Sequence, residues 1–259
     1  MKFCLTLLLA LSFLSTSAQY QDRIDSGRPA QYFGARGVGN NVFQVQSGVQ
    51  QNWVKDNFIL GPTAKPMVWN TLFRYGIHER VELRFTLDYA WDEGYVNAVD
   101  LREVNGFSDA QVGMRVNLYD GDDGLAIGAQ STLLLLDADP EFRRATLGSN
   151  WLLAATRPLS DKLGAGANLF AVWEGDGRGD ATWNYAAFLT YNLTDDLVPF
   201  AEVFGQLNGG ATFDYNFGVG YLIGDDLQLD AYFGWLDRGR DEREFFLSGG
   251  VSWRFDWRE

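Results

Sequence analysis

Cysteine is nearly missing. Cys4 is the only one in 259 residues, and it lies within the first apolar run. Once that run is removed the chain holds none, which excludes a disulfide framework and a thiolate metal site. An exported chain without cysteine fits a bacterial envelope protein better than a small secreted domain, which needs staples. A lipoprotein would carry its cysteine at the end of the apolar run, not at its beginning. Histidine is reduced to His78, so an enzyme needing a histidine base has one candidate only. Positive charge is also scarce, with 21 Lys and Arg against 34 Asp and Glu and a net charge of −13. That balance gives little reason to bind nucleic acid, where Lys and Arg neutralise phosphates. Past the N-terminus no run of 18 apolar residues occurs, so no spanning helix is expected.

What is present points elsewhere. The first 18 residues read as a secretory signal peptide, with Lys2 as the positive region and Phe3 to Leu14 as the apolar core. Thr16 and Ala18 stand at the small-residue cleavage positions. The competing reading, a transmembrane anchor, needs roughly 20 apolar residues. Aromatics make up 15% of the chain and glycine is abundant, while helix signals are sparse. The composition is all-β.

Alternation of period two carries the fold prediction. From Val81 to Trp91 every second residue is apolar: Val81, Leu83, Phe85, Leu87, Tyr89 and Trp91. Between them sit Glu82, Arg84, Thr86, Asp88 and Ala90. The pattern recurs in twelve segments, among them Val42–Trp53, Ala110–Leu118, Ala145–Ala155 and Phe245–Phe255. Most match the roughly 9–11 residues of a tilted membrane strand and exceed the usual soluble strand of about 5–6. Alternate connections are short and turn-like ("HER", "LTDD", "GDD"). The others are longer, Lys55–Pro66 and Asp92–Asp109 most of all. This asymmetry is that of an outer-membrane barrel with short periplasmic turns. The expectation is therefore an all-β fold, a transmembrane antiparallel up-and-down β-barrel of about 12 strands. It would occupy residues 41–259, after an N-terminal periplasmic or lumen-entering segment at 19–40.

The aromatic residues choose between a core-facing and a lipid-facing apolar phase. Trp53, Trp69, Trp91, Trp173, Trp183 and Trp235 fall on that phase at the long-loop ends. Tyr75, Tyr191, Tyr221 and Trp253 fall on it toward the short-turn ends. Two belts of amphipathic rings flanking an apolar band are expected at the two interfaces of a membrane. The last strand ends in Phe255, similar to a terminal signal for the outer-membrane assembly machinery, though "DWRE" follows it.

Three places carry a family resemblance. "QDRIDSGRPAQYFGARGVGNNVFQVQSGVQ" is similar to an Asp-Arg-Pro opening before a first strand, with Ile24 at the usual proline. "LFRYGIHERVELRFTLDY" looks like a second hairpin with Val-Glu-Leu-Arg after its turn. "GFSDAQVGMRVNL" resembles a Gly-x-x-Asp start to the fourth strand. Together they resemble the transporter family named for the meta-pathway of phenol degradation. The resemblance implies an outer-membrane barrel passing small solutes, and the family name suggests aromatic or hydrophobic ones.

The opposite phase supplies the candidate site. Arg74, Glu82, Arg84, Asp88, Arg115, Glu174, Glu202, Asp214, Asp230 and Arg254 would line the lumen. They form either a charged constriction that selects solutes or a network that braces the barrel; the two are compatible. The segment 19–40 either enters the lumen as a plug, with Arg23, Arg28 and Arg36 meeting acids, or stays a periplasmic tail. His78 sits in a turn and reads as a solvated residue. Asp92 and Glu93, at the outer rim, lack a histidine partner. "EGDGRGD" lacks the closing glutamate of a calcium loop. No catalytic residue, metal or cofactor is expected. The favoured function is passive passage of small solutes across a Gram-negative outer membrane. The alternatives are an outer-membrane enzyme and a structural or adhesion barrel. Expected partners are outer-membrane lipid, a small-molecule solute and the assembly machinery, without nucleic acid.

Overall fold

The computed structural model describes residues 22–28, 31–56, 64–96, 99–136, 138–177, 179–237 and 242–257. The expected signal peptide, residues 1–18, lies outside them. Twelve strands follow one another: β1 (Val42–Asp56), β2 (Met67–His78), β3 (Val81–Val96), β4 (Val99–Asp120), β5 (Ala126–Leu134) and β6 (Gly148–Pro158), then β7 (Leu163–Trp173), β8 (Thr182–Tyr191), β9 (Leu197–Gln206), β10 (Asp214–Ile223), β11 (Leu227–Asp237) and β12 (Glu242–Asp256). Each pairs with its sequence neighbours, and β1 pairs antiparallel with β12 from Val42↔Asp256 to Asp56↔Glu242, closing the barrel. Closure leaves no unpaired sheet edge, the condition a β-structure must meet in hydrocarbon. Among the described residues no helix is long and apolar enough to cross a membrane.

The alternation resolves into two faces because successive side chains point to opposite sides of a strand. On β12, Glu244, Phe246, Ser248, Ser252 and Arg254 are buried, while Phe245, Leu247, Val251 and Trp253 are exposed. On β3, Glu82 and Arg84 are buried, and Leu83 and Phe85 are exposed. Such a surface would be ruinous in water, and it suits a lipid solvent. Nine of the ten girdle aromatics are exposed at strand ends; Trp91 is partly covered, its ring 4.6 Å from that of Tyr89.

Three departures from the sequence reading have physical causes. Asp92–Asp109, expected as a loop, is mostly the tip of the β3–β4 hairpin, paired out to Val96↔Val99. Its phase is hidden because Ser108 is a bulged residue: Asp88 faces Asp109, but Tyr89 faces Phe107. A bulge of this kind inserts one residue and resets the alternation. The sixth strand, expected at Ala145–Ala155, begins at Gly148 and runs to Pro158, because Thr146 bonds across to the Gly175 carbonyl in the loop. Finally, the inward phase is not uniformly polar. Leu152, Ala154, Phe170, Ala186 and Phe188 are buried on β6 to β8, and Phe200, Tyr232, Leu236 and Phe246 on β9, β11 and β12, so apolar patches interrupt the charged inner face.

Leu153 is 51% exposed at the middle of β6. Leu153→Arg should destabilise the barrel by about 2–4 kcal/mol, the usual cost of a cation at bilayer midplane. Denaturant titration of the protein folded into liposomes measures it, and Leu153→Met is the matched control.

Candidate functional site: the lumen and its N-terminal segment

The described residues from Asp22 to Asn41 form no strand, yet their backbone and side chains bond repeatedly to the inner wall. An irregular backbone inside a barrel must find partners for each peptide group. The wall supplies them. Glu202 accepts from the Gln31 amide at 3.0 Å, and Asn168 accepts from the Phe33 amide at 2.7 Å and donates to the Phe33 carbonyl at 3.0 Å. Glu82 accepts from the Val38 amide at 3.0 Å. Arg74 donates to the Asp25 carbonyl at 2.8 Å, and Gln228 to the Arg28 carbonyl at 2.6 Å.

Side chains of the segment add ion pairs. Arg28 reaches Asp230 and Ser248 at 3.2 and 3.1 Å. Arg36 grips Asp120 through two bonds of 3.0 and 2.7 Å, and this hydrogen-bonded carboxylate raises the Arg36 pKa further. Arg23 bridges the turn acids Asp196 and Asp225. Those last pairs are exposed and therefore weak; the Arg28–Asp230 pair is not.

The closest side-chain cluster sits where β2, β3 and β4 meet the segment. Glu82 is fully buried, and its two oxygens receive Arg74 at 2.8 Å and Arg84 at 2.6 Å, with Arg115 at 4.0 Å. Cross-strand register explains the set, since Arg74 faces Arg84 and Glu82 faces Arg115. Arg115 also bonds Gln130 at 2.9 Å. The Phe33 ring lies under the Arg84 and Arg115 guanidiniums at 5.4 and 5.6 Å, positions that favour a cation over an aromatic face.

The aromatic pair at the middle of the segment divides the free space. Tyr32 stacks on Phe188, and Phe33 meets Phe170 edge-on at 6.1 Å. Burial, then the Asp25 and Glu202 carboxylates, hold the Tyr32 hydroxyl above the usual phenol range, so it stays neutral. Toward the long loops lies a cavity of about 320 Å³ with Phe33, Phe170, Tyr185, Phe204 and Asp214 in its wall. Toward the short turns lies another of about 310 Å³, bounded by Tyr32, Phe188, Arg36 and Arg157.

Of the ten residues expected to line the lumen, Arg74, Glu82, Arg84, Arg115, Glu202, Asp214, Asp230 and Arg254 are buried on the inner face. Arg254 bonds Asp226 and the Asp22 carbonyl. Asp88 is partly buried and accepts a bond from Asn70. Glu174 departs from the expectation: β7 ends at Trp173, the chain turns at Gly175 with φ of 74°, and Glu174 is left exposed in the loop. His78, expected in the turn, is the exposed last residue of β2, and its Nδ1 accepts from the Arg80 amide. Among the described residues no group of three or more His, Cys, Asp or Glu side chains could hold a metal.

Sequence reasoning missed Asn168 and Gln228 as partners of the segment, and Gly128 as its close contact. A Cβ on Gly128 would overlap the Ala35 carbonyl. The signal was available in part, because a glycine on an inward phase marks a close backbone approach.

The family described as "Putative MetA-pathway of phenol degradation" matches residues 26–255. The chain belongs to this family. The match includes the segment from Ser26 onward as well as the barrel. Among solved structures, the COG4313 outer membrane channel from Pseudomonas putida F1 is similar over 90% of this chain and 100% of its own, at 13% identity and a TM-score of 0.68. The KdgM porin is similar over 81% and 99%, at 10% identity and 0.57. The Pseudomonas putida toluene transporter TodX is similar over 92% and 95%, at 10% identity and 0.53. At these identities the likeness is one of fold, that of an outer-membrane barrel. No curated protein matches the chain by sequence.

Glu82→Ala should cost about 3–5 kcal/mol, because removing one partner of a buried ion cluster strands the others. Three guanidiniums would then face one another without their shared carboxylate. Denaturant unfolding measures the loss, and Glu82→Gln should recover part of it by keeping an acceptor for the Val38 amide.

Proposed function

We propose that this protein is a passive channel for small solutes in the outer membrane, with the segment from Gln19 to Asn40 as the constriction of its lumen and residues 1–18 as its export signal. The observation that carries the reading is the pair of cavities separated by Tyr32 and Phe33. A barrel of about 8 strands is filled by its own side chains, whereas 16–18 strands leave an open channel. With twelve, the lumen has room for a segment and for space on both sides of it.

Family membership supports transport, and the similar folds are a channel, a porin and a toluene transporter. The aromatic lining of the larger cavity suits solutes with apolar bodies. The inward carboxylates and guanidiniums act here chiefly as the seat of the segment, with a bracing role and a selecting role in the same side chains. No catalytic role is assigned: His78 is exposed at the end of β2, and its Nδ1 accepts from the Arg80 amide. Partners in this reading are membrane lipid, the solute and the assembly machinery, and neither nucleic acid nor a cofactor is invoked.

Planar-bilayer recording and liposome swelling on purified protein test the reading. A chain lacking residues 19–36 should show a several-fold higher single-channel conductance than the full chain. Equal conductance would remove the constriction role. A full chain that neither conducts nor supports swelling would remove the channel itself and favour a structural barrel.

A further inference from the structure

The charge around Glu82 does not balance. Arg74 takes Glu82 through both Nε and Nη2, Arg84 adds a third contact through Nη1, and Arg115 stands 4.0 Å away. Three cations thus share one carboxylate in a place closed to bulk water. Arg115 spends further donors on Gln130 and the Arg36 carbonyl, and Arg74 on the Asp25 carbonyl. Arg84 differs. Its sole hydrogen-bond partner among the described residues is Glu82, and its Nε and Nη2 donors are left over.

Those donors belong to a residue that lines a polar pocket of about 200 Å³ on the lumen side of β2 to β6. Thr86, Asn70, Thr132 and Asn150 bring polar groups to it, and Phe33 and Leu72 bring an apolar floor. The neighbouring acids are accounted for: Arg144 holds Asp109 at 2.6 Å, and Asn70 donates to Asp88. The Asp25 carbonyl accepts from Arg74 and Gln44. The pocket therefore combines an underused guanidinium, hydroxyl and amide groups and an aromatic face. A planar carboxylate is the anion whose geometry a guanidinium fork matches.

We propose that this pocket is a subsite for a small organic carboxylate, its carboxylate on the free edge of Arg84 and its apolar body on Phe33 and Leu72. The solute carried is then an anion with a short apolar or aromatic part, such as benzoate, in preference to a neutral molecule of the same shape. This rests on the channel reading given above and narrows its cargo. Phe33 also borders the larger aromatic cavity, so a solute entering there meets Arg84 as it passes the constriction.

The test uses full-length protein and two probes of equal size, benzoate and benzyl alcohol. Titration calorimetry on detergent-solubilised protein should show saturable benzoate binding and none for benzyl alcohol. Arg84→Gln should weaken benzoate binding by about ten-fold or more, the usual worth of one charge-assisted contact, while Arg84→Lys keeps part of it. Heat-modifiable migration on gels checks that each variant is folded, and the wild-type titration decides the matter if a variant fails to fold. In bilayers, a benzoate-to-chloride gradient should give a reversal potential favouring benzoate. A channel that conducts chloride yet binds benzoate no better than benzyl alcohol overturns the subsite and leaves the channel reading intact. A barrel with no conductance overturns the channel reading and the cargo with it.

Discussion

A peptide backbone without secondary structure is held inside a barrel, and the rest of the lumen follows from satisfying it. Each unmet amide or carbonyl removed from water carries a cost of about 1–3 kcal/mol. The wall answers with side chains of the right sign at the right height: Glu202 for Gln31, Asn168 for both ends of Phe33, Glu82 for Val38, Arg74 for Asp25. Seen this way, the inward polar residues are not primarily a ring around a hole. They are the complement of one particular stretch of chain, and their spacing along the barrel follows its path.

Two kinds of contact share this work. Polar side chains all round the inner face bond backbone groups and arginines, Asn168 on β7 and Glu202 on β9 among them. The apolar stretch from β6 to β8 receives the rings: Tyr32 on Phe188 and Phe33 against Phe170. Outside, the constraint reverses. The exposed phase carries large apolar side chains because lipid makes no demand for polarity. A single strand such as β3 thus answers to two solvents, one on each side of the pleat.

Much of this was legible in the sequence. Strand number, the phase of each face and the aromatic girdles are local properties of period two, and Val81 to Trp91 displays all of them. Of the ten residues expected inward from phase, eight are buried on the inner face, Asp88 is partly buried and Glu174 is exposed in a loop. What could not be read has the opposite character. The partner of Phe33 is Asn168, and that of Arg28 is Asp230, separations of 135 and 202 residues. No periodicity reports on such pairs. The bulge at Ser108 hid the β3–β4 hairpin because one inserted residue inverts the phase. Phase says nothing of where a strand ends, and so it does not reveal that Glu174 lies beyond β7. Leu152 and Phe170 carry no sign that distinguishes a lumen from a bilayer.

The closure of the barrel by β1 and β12 has a consequence for the order of assembly. The segment precedes β1 in the chain, but its partners Glu202, Asp230 and Ser252 belong to β9, β11 and β12. It is therefore made first and can be seated last. Until the final hairpin arrives, Arg28 has no Asp230 to meet and Ser26 no Ser252. Docking of the segment would then act as a completion signal, available only to a chain whose every strand is already in place.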